Sequence, residues 1–164
     1  MKNDFRGDEV MIKILFVCHG NICRSTMAEF VMKDLVRKAG LSDKFIINSA
    51  ATSREEIGAD THYGTKAKLR EMNIPFTKRK AVQVTKSDYD MYDYIIVMDN
   101  NNLRNLRYII GEDTQHKVHK MMAFAGEMRD VKDPWYTNNF DETYADIDKG
   151  CRALLDYLRD NGNI

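Results

Sequence analysis

The stretch from Ile12 to Ala39 constrains the fold more than any other part of the chain. Ile12-Lys13-Ile14-Leu15-Phe16-Val17 is an apolar, branched run that reads as a largely buried strand. From Ser25 onward, Met27, Phe30, Val31, Leu35 and Ala39 recur at helical spacing. Between them lies only Cys18-His19-Gly20-Asn21-Ile22-Cys23-Arg24, enough for one tight loop. A strand running through such a loop into a helix is the opening of an α/β unit.

The loop composition suits an oxyanion held beside a nucleophile. Inward amides and a helix N-terminus offer partial positive charge. Arg24 can grip two oxygens in a planar fork, and the same field favours the thiolate of a cysteine at the strand end. Cys18 is therefore the candidate nucleophile, and His19, Gly20, Asn21, Ile22, Cys23 and Arg24 form the candidate oxyanion cradle. Gly20 and Asn21 are expected to supply the positive backbone φ that an anion nest requires. Ser25 can either hydrogen-bond the thiolate or cap the helix, and Thr26 with Glu29 fits a capping box.

The eight residues Cys18 to Ser25 resemble the C-x-G-N-x-C-R-S signature of the low-molecular-weight protein tyrosine phosphatases, which lies near the N-terminus as here. The resemblance extends to Ser49-Ala50-Ala51-Thr52-Ser53, Tyr94-Ile95-Ile96-Val97-Met98-Asp99 and Asp133-Pro134-Trp135-Tyr136. It implies a flavodoxin-like three-layer fold with a central four-stranded parallel sheet. It also implies hydrolysis of phosphotyrosine in proteins through a cysteinyl-phosphate on Cys18, with Arg24 binding phosphate and Asp133 as general acid and base. Ser49 and Asp99 match positions that buttress the phosphate loop, and Trp135 and Tyr136 match an aromatic wall for the substrate ring. Cys23 is expected to protect Cys18 from over-oxidation. His19 lies at the periphery of the loop in this scheme.

Three departures from the family pattern stand out. Thr26 replaces a usual proline. Trp135 replaces the first of two tyrosines. Arg79-Lys80-Ala81-Val82-Gln83 stands where the family often reads H-x-A-R-Q, so Arg79 replaces a histidine that helps to hold the loop asparagine. Lys78, Arg79 and Lys80 could equally form a solvated or substrate-facing basic patch.

Bulk properties narrow the alternatives. Lys plus Arg and Asp plus Glu both number 25 in 164 residues, which leaves no global attraction to nucleic acid or an anionic membrane. No apolar run approaches the roughly 20 residues of a membrane span. Three cysteines, an odd number, argue against a secreted disulfide framework and for a reducing, cytoplasmic setting. Cys151 shares a helical face with Tyr144, Ile147, Leu154, Leu155 and Leu158, and reads as core. No metal-ligand spacing links the four histidines to the cysteines, so neither metal nor other cofactor is expected. Residues 1–10 are expected to be a disordered extension, with Met11 an alternative start, and residues 11–164 a single phosphatase domain, expected to be monomeric.

Further elements are expected at Phe45–Ile47 (strand), Thr61–Met72 (helix), Ala81–Val84 (short strand), Ser87–Met91 (helical turn), Tyr94–Met98 (strand), Asn102–Ile110 (helix) and Val118–Met121 (weaker strand). A long loop over Gly126–Phe140 and a helix over Asp141–Arg159 complete the pattern. Ligands of such a sheet bind beyond the carboxyl ends of its strands, where Cys18 begins its loop.

Three rival functions remain. Thiol-linked arsenate reduction needs further redox cysteines around positions 80–95, and there are none. A non-catalytic phosphate-binding module would have no use for Cys18 and Asp133. Relatives that hydrolyse phosphoarginine carry threonine at the position of Ile22, so Ile22, whose apolar surface suits a phenyl ring, favours phosphotyrosine.

Overall fold

The computed structural model describes residues 11–164; the expected N-terminal extension lies outside them. Four parallel strands, β1 (Ile12–Cys18), β2 (Phe45–Ala51), β3 (Tyr94–Val97) and β4 (Val118–Lys120), form one sheet in the order β2-β1-β3-β4. Four α-helices lie between the strands, α1 (Arg24–Lys38), α2 (Tyr63–Glu71), α3 (Asp88–Met91) and α4 (Asn100–Ile110), and two follow the last strand, α5 (Pro134–Thr137) and α6 (Phe140–Asp160). This is the flavodoxin-like winding implied by the family resemblance.

Alternate residues of β1 serve the two faces of the sheet. Ile14 and Phe16 join the larger apolar cluster with Met27 and Val31 of α1 and Ile147, Leu154 and Leu158 of α6. Leu15 and Val17 join a second cluster with Ile95 and Val97 of β3 and Leu106 and Ile110 of α4. Burial on both faces explains why β1 and β3 read as continuous apolar runs rather than alternating ones. Cys151 is fully buried in α6, as expected.

Several boundaries differ from expectation. Strand β2 continues to Ala51, because Asn48 to Ala51 stay in register with Leu15 to Cys18. The stretch Ala81–Val84 forms only one bridge, Gln83 to Ala51, and no strand. The loop before α6 contains the short helix α5, started by the Asp133 side chain, which accepts from the Trp135 N–H. Among the described residues, no helix is long and apolar enough to cross a membrane.

The order β2-β1-β3 reverses the winding direction at β1. The crevice beyond the carboxyl ends of β1 and β3 is therefore the switch point where such sheets take ligands.

Candidate active site

Cys18 is the last residue of β1, paired with Ala51, and α1 begins six residues later at Arg24. The intervening loop turns on Asn21, whose φ of 60° lies in the left-handed region; asparagine tolerates it better than most residues. Gly20 does not share that conformation, contrary to expectation. Its value is close approach instead, since a Cβ there would lie 3.3 Å from Glu56 Cγ. Among the described residues, the N–H groups of Gly20, Ile22, Cys23 and Arg24 have no backbone acceptor, the condition for an anion nest.

The Cys18 sulfur is held from two sides. The Asn21 N–H donates to it at 3.3 Å, and the thiol lies 3.0 Å from Ser25 Oγ. Asn21 Nδ2 donates to the same Ser25 Oγ at 2.8 Å and to Ser49 Oγ at 3.0 Å. With its oxygen already accepting from Asn21, Ser25 can turn its own proton towards a thiolate. Ser25 thus faces the nucleophile and does not cap the helix: the N-cap is Cys23, with no side-chain cap bond. The expected capping box is likewise absent. Thr26 Oγ1 donates back to the carbonyls of Ile22 and Cys23, and Glu29 turns to Ser49 and Lys33.

Arg24 is 2% exposed, so its charge needs partners. Nη1 donates to Asp99 Oδ2 at 2.7 Å and to the Val131 carbonyl at 2.8 Å, and Nη2 lies 3.3 Å from Asp133 Oδ2. Burial opposes the guanidinium charge, but Cys18, Asp133 and Asp99 outweigh it and raise its pKa. Asp99 also caps α4 in a capping box with Asn102, so one carboxylate serves both the Arg24 guanidinium and a helix end.

Cys18, Arg24 and Asp133 line one cavity of about 110 Å³, together with His19, Gly20, Ile22, Cys23, Trp135 and Tyr136. Trp135 and Tyr136 are exposed, and His62 meets Trp135 edge-on while stacking on Phe140. His19 is peripheral, its Nε2 3.2 Å from Glu55 Oε1. Cys23 is buried, and desolvation, with Cys18 and Asp133 nearby, pushes its thiol up to about 12. Asn21, Ser25 and Ser49 stand behind the cavity rather than in it.

Four contributors escaped the sequence reading. Glu55 and Glu56 line the cavity from the loop after β2, where nothing local marks them. Glu29 lies behind the phosphate loop and accepts from Ser49 Oγ at 2.6 Å; a glutamate on the buried side of α1 was the available signal. The Val131 carbonyl is backbone and leaves no trace in side-chain identity. Arg79 proves to be neither solvated nor substrate-facing. Its Nη1 and Nη2 donate to the carbonyls of Asn21 and Ser49, both at 3.3 Å, while Lys78 and Lys80 are exposed. Loop support, in doubt from the lost histidine, is thus present.

Residues 13–163 match the family model described as low molecular weight phosphotyrosine protein phosphatase. The chain belongs to this family. It is 42% identical over 147 residues to the low molecular weight protein-tyrosine-phosphatase YfkJ of Bacillus subtilis, covering 88% of this chain and 94% of that protein. The crystal structure of YfkJ superposes with a TM-score of 0.89 at 40% identity, over 93% of this chain and 97% of the other. The low molecular weight protein tyrosine phosphatase SP-PTP of Streptococcus pyogenes superposes with a TM-score of 0.78 at 41% identity, over 92% and 93% of the two chains. The protein is accordingly a hydrolase of the protein-tyrosine-phosphatase type.

Proposed function

We propose that the protein hydrolyses phosphotyrosine in proteins by two displacements at phosphorus. In the first, the Cys18 thiolate attacks, the S–P bond forms and the P–O bond to tyrosine breaks, while Asp133 delivers a proton to the departing oxygen. In the second, Asp133 takes a proton from water, whose oxygen attacks phosphorus and releases inorganic phosphate and the thiolate. The Arg24 guanidinium and the loop amides of Gly20, Ile22, Cys23 and Arg24 hold the equatorial oxygens, whose charge grows in the transition state, while the Asn21 amide stays on the Cys18 sulfur. Ser25 stabilises the thiolate as it leaves, Ser49 and Asp99 support the loop, and Ile22, Trp135 and Tyr136 flank the ring.

The observation that carries this reading is the shared cavity, in which nucleophile, guanidinium and carboxylate meet. Its test is turnover of p-nitrophenyl phosphate together with vanadate binding. Cys18→Ser should abolish turnover while retaining the anion, because serine supplies no thiolate at neutral pH. Near wild-type turnover by Cys18→Ser would overturn the assignment. Arg24→Lys should also fail, since a point charge lacks the planar fork.

A second substrate, phosphoarginine, has one structural argument in its favour. Glu55 and Glu56 line the cavity and could attract a guanidinium, and the Drosophila arginine phosphatase superposes with a TM-score of 0.82 at 26% identity, over 90% of this chain and 98% of that one. The apolar Ile22 and the exposed Trp135-Tyr136 pair favour the aromatic substrate instead.

A further inference from the structure

We propose that Arg79 is a positioning residue that strengthens the oxyanion nest through the Asn21–Ile22 peptide, by means of the charge it places on the Asn21 carbonyl. The inference rests on the oxyanion-binding half of the proposed function and is independent of the covalent step.

The Arg79 side chain is 15% exposed and touches the loop from behind. Nη1 donates to the carbonyl of Asn21, the one left-handed residue of the loop, and Nη2 donates to the carbonyl of Ser49, whose hydroxyl fixes the Asn21 amide. Two carbonyls on separate elements are thereby tied by one planar fork, a geometry that an ammonium group cannot reproduce. The Val82 N–H, three residues on, donates to Asn21 Oδ1 at 3.2 Å, so the same segment grips both backbone and side chain of Asn21.

The Asn21 carbonyl and the Ile22 N–H belong to one peptide. A cation on the carbonyl oxygen draws electron density from the nitrogen and makes the N–H a better donor, as hydrogen bonds in series polarise one another. That N–H is among the loop amides left without a backbone acceptor. Arg79 can therefore act on a bound oxyanion without touching it.

The charged groups facing Arg79 come from two elements. From α1, Glu29 Oε1 lies 3.7 Å from Nε, and Lys33 shares that carboxylate at 2.6 Å. From the segment before α2, Asp60 Oδ1 accepts the Arg79 backbone N–H at 3.1 Å while its other oxygen binds Lys66 at 2.6 Å.

Sulfate is the probe, because its charge is constant over the range where histidine titrates, about pH 5 to 8. Binding is measured calorimetrically in a Cys18→Ser background, which removes both turnover and the titration of the nucleophile. Arg79→Met should weaken sulfate binding by roughly tenfold or more at every pH. Arg79→His should bind well at the acidic end and progressively worse towards pH 8, following an ionisation absent from the Cys18→Ser parent. A merely structural role would leave the Arg79→His profile parallel to the parent, and that result overturns the proposal. Affinity within twofold of the parent in folded Arg79→Met also overturns it. If Arg79→Met fails to fold, the Arg79→His profile decides alone. Loss of sulfate binding by the Cys18→Ser parent itself would instead count against the proposed oxyanion site.

Discussion

The hydroxyl of Ser49, at the end of β2, donates to the carboxylate of Glu29 on α1 at 2.6 Å. With its one proton so committed, Ser49 can meet Asn21 only as an acceptor, which sets the Asn21 amide with Nδ2 towards Ser49 and Oδ1 towards Val82. An asparagine fixed in this way leaves its second Nδ2 proton for Ser25, whose oxygen also accepts from the Cys18 thiol, so that the Ser25 proton is free to turn to the sulfur once the thiolate forms. A carboxylate on the buried side of a helix thus determines proton positions four groups away at the nucleophile. Ser49→Ala should cost about 1–3 kcal/mol of stability, the penalty for a buried donor that loses its acceptor, and should lower turnover. Denaturant unfolding and p-nitrophenyl phosphate turnover check both; an unchanged midpoint with unchanged turnover would remove Ser49 from the network.

Asp133→Ala should reduce turnover by about 10²–10⁴, the usual range for a positioned general acid. The loss should be greatest for alkyl phosphates, whose leaving groups most need a proton. Equal losses for good and poor leaving groups would mean that the carboxylate serves only Arg24 and the Trp135 N–H, its two partners in the structure.

Ile22→Thr should shift preference towards phosphoarginine, while the wild type should prefer phosphotyrosine over phosphoarginine and phosphoserine. Catalytic efficiencies on matched phosphopeptides give the answer. A wild-type preference for phosphoarginine would assign Glu55 and Glu56 to substrate binding and leave the Cys18 chemistry as it stands.

Peroxide should inactivate the wild type reversibly and Cys23→Ser irreversibly. The sulfenic acid formed on Cys18 condenses with the Cys23 thiol, releasing water and leaving a disulfide that a thiol reductant opens. Because the Cys23 thiol is pushed up to about 12, it is protonated at neutral pH and trapping should accelerate as pH rises. Equal recovery of both proteins after reductant treatment would exclude this role.

Asp60 offers a test by pH. Its hydrogen bond from Lys66, opposed by some desolvation and helped by the N–H groups of Arg79 and Thr61, lowers its pKa to about 2. A depressed folded-state pKa stabilises the native protein above the ordinary carboxylate range and loses that contribution as pH falls towards 2. Asp60→Asn should therefore melt below the wild type at neutral pH, with the gap narrowing below about pH 4. A gap that persists undiminished in acid would refer the effect to packing rather than charge.

The legible parts of this protein were those with a local cause. The branched run of β1 and the helical spacing of α1 and α6 disclosed their burial directly, and the loop between β1 and α1 carries its chemistry in eight consecutive residues. Ser49, Asp99 and Asp133 lie far from that loop in sequence and were reached only through the family resemblance. What stayed hidden depends on where distant segments meet. Thr26 and Glu29 have capping-box spacing, but a carboxylate that can reach Ser49, Lys33 and Arg79 has better partners than its own helix end. Gly20 invited a conformational reading, whereas the nearby Glu56 side chain gives its missing Cβ a steric purpose. Arg79 could be read as a replacement for the family histidine or as one of three cations in a basic patch, and only the fold decides, by setting its guanidinium on the Asn21 and Ser49 carbonyls.

The partners of Arg24 also impose an order on the birth of the enzyme. Its guanidinium closes contacts with residues 75, 107 and 109 positions downstream. During synthesis the thiol and its cradle leave the ribosome well before the carboxylate that completes them, which follows Arg24 by 109 residues. A nascent chain arrested before Val131 would carry a cysteine and an arginine with no proton donor, and Arg24 would lack two of its three partners. Phosphatase activity should therefore appear abruptly once the segment through Asp133 has emerged and docked on Arg24, rather than grow with length.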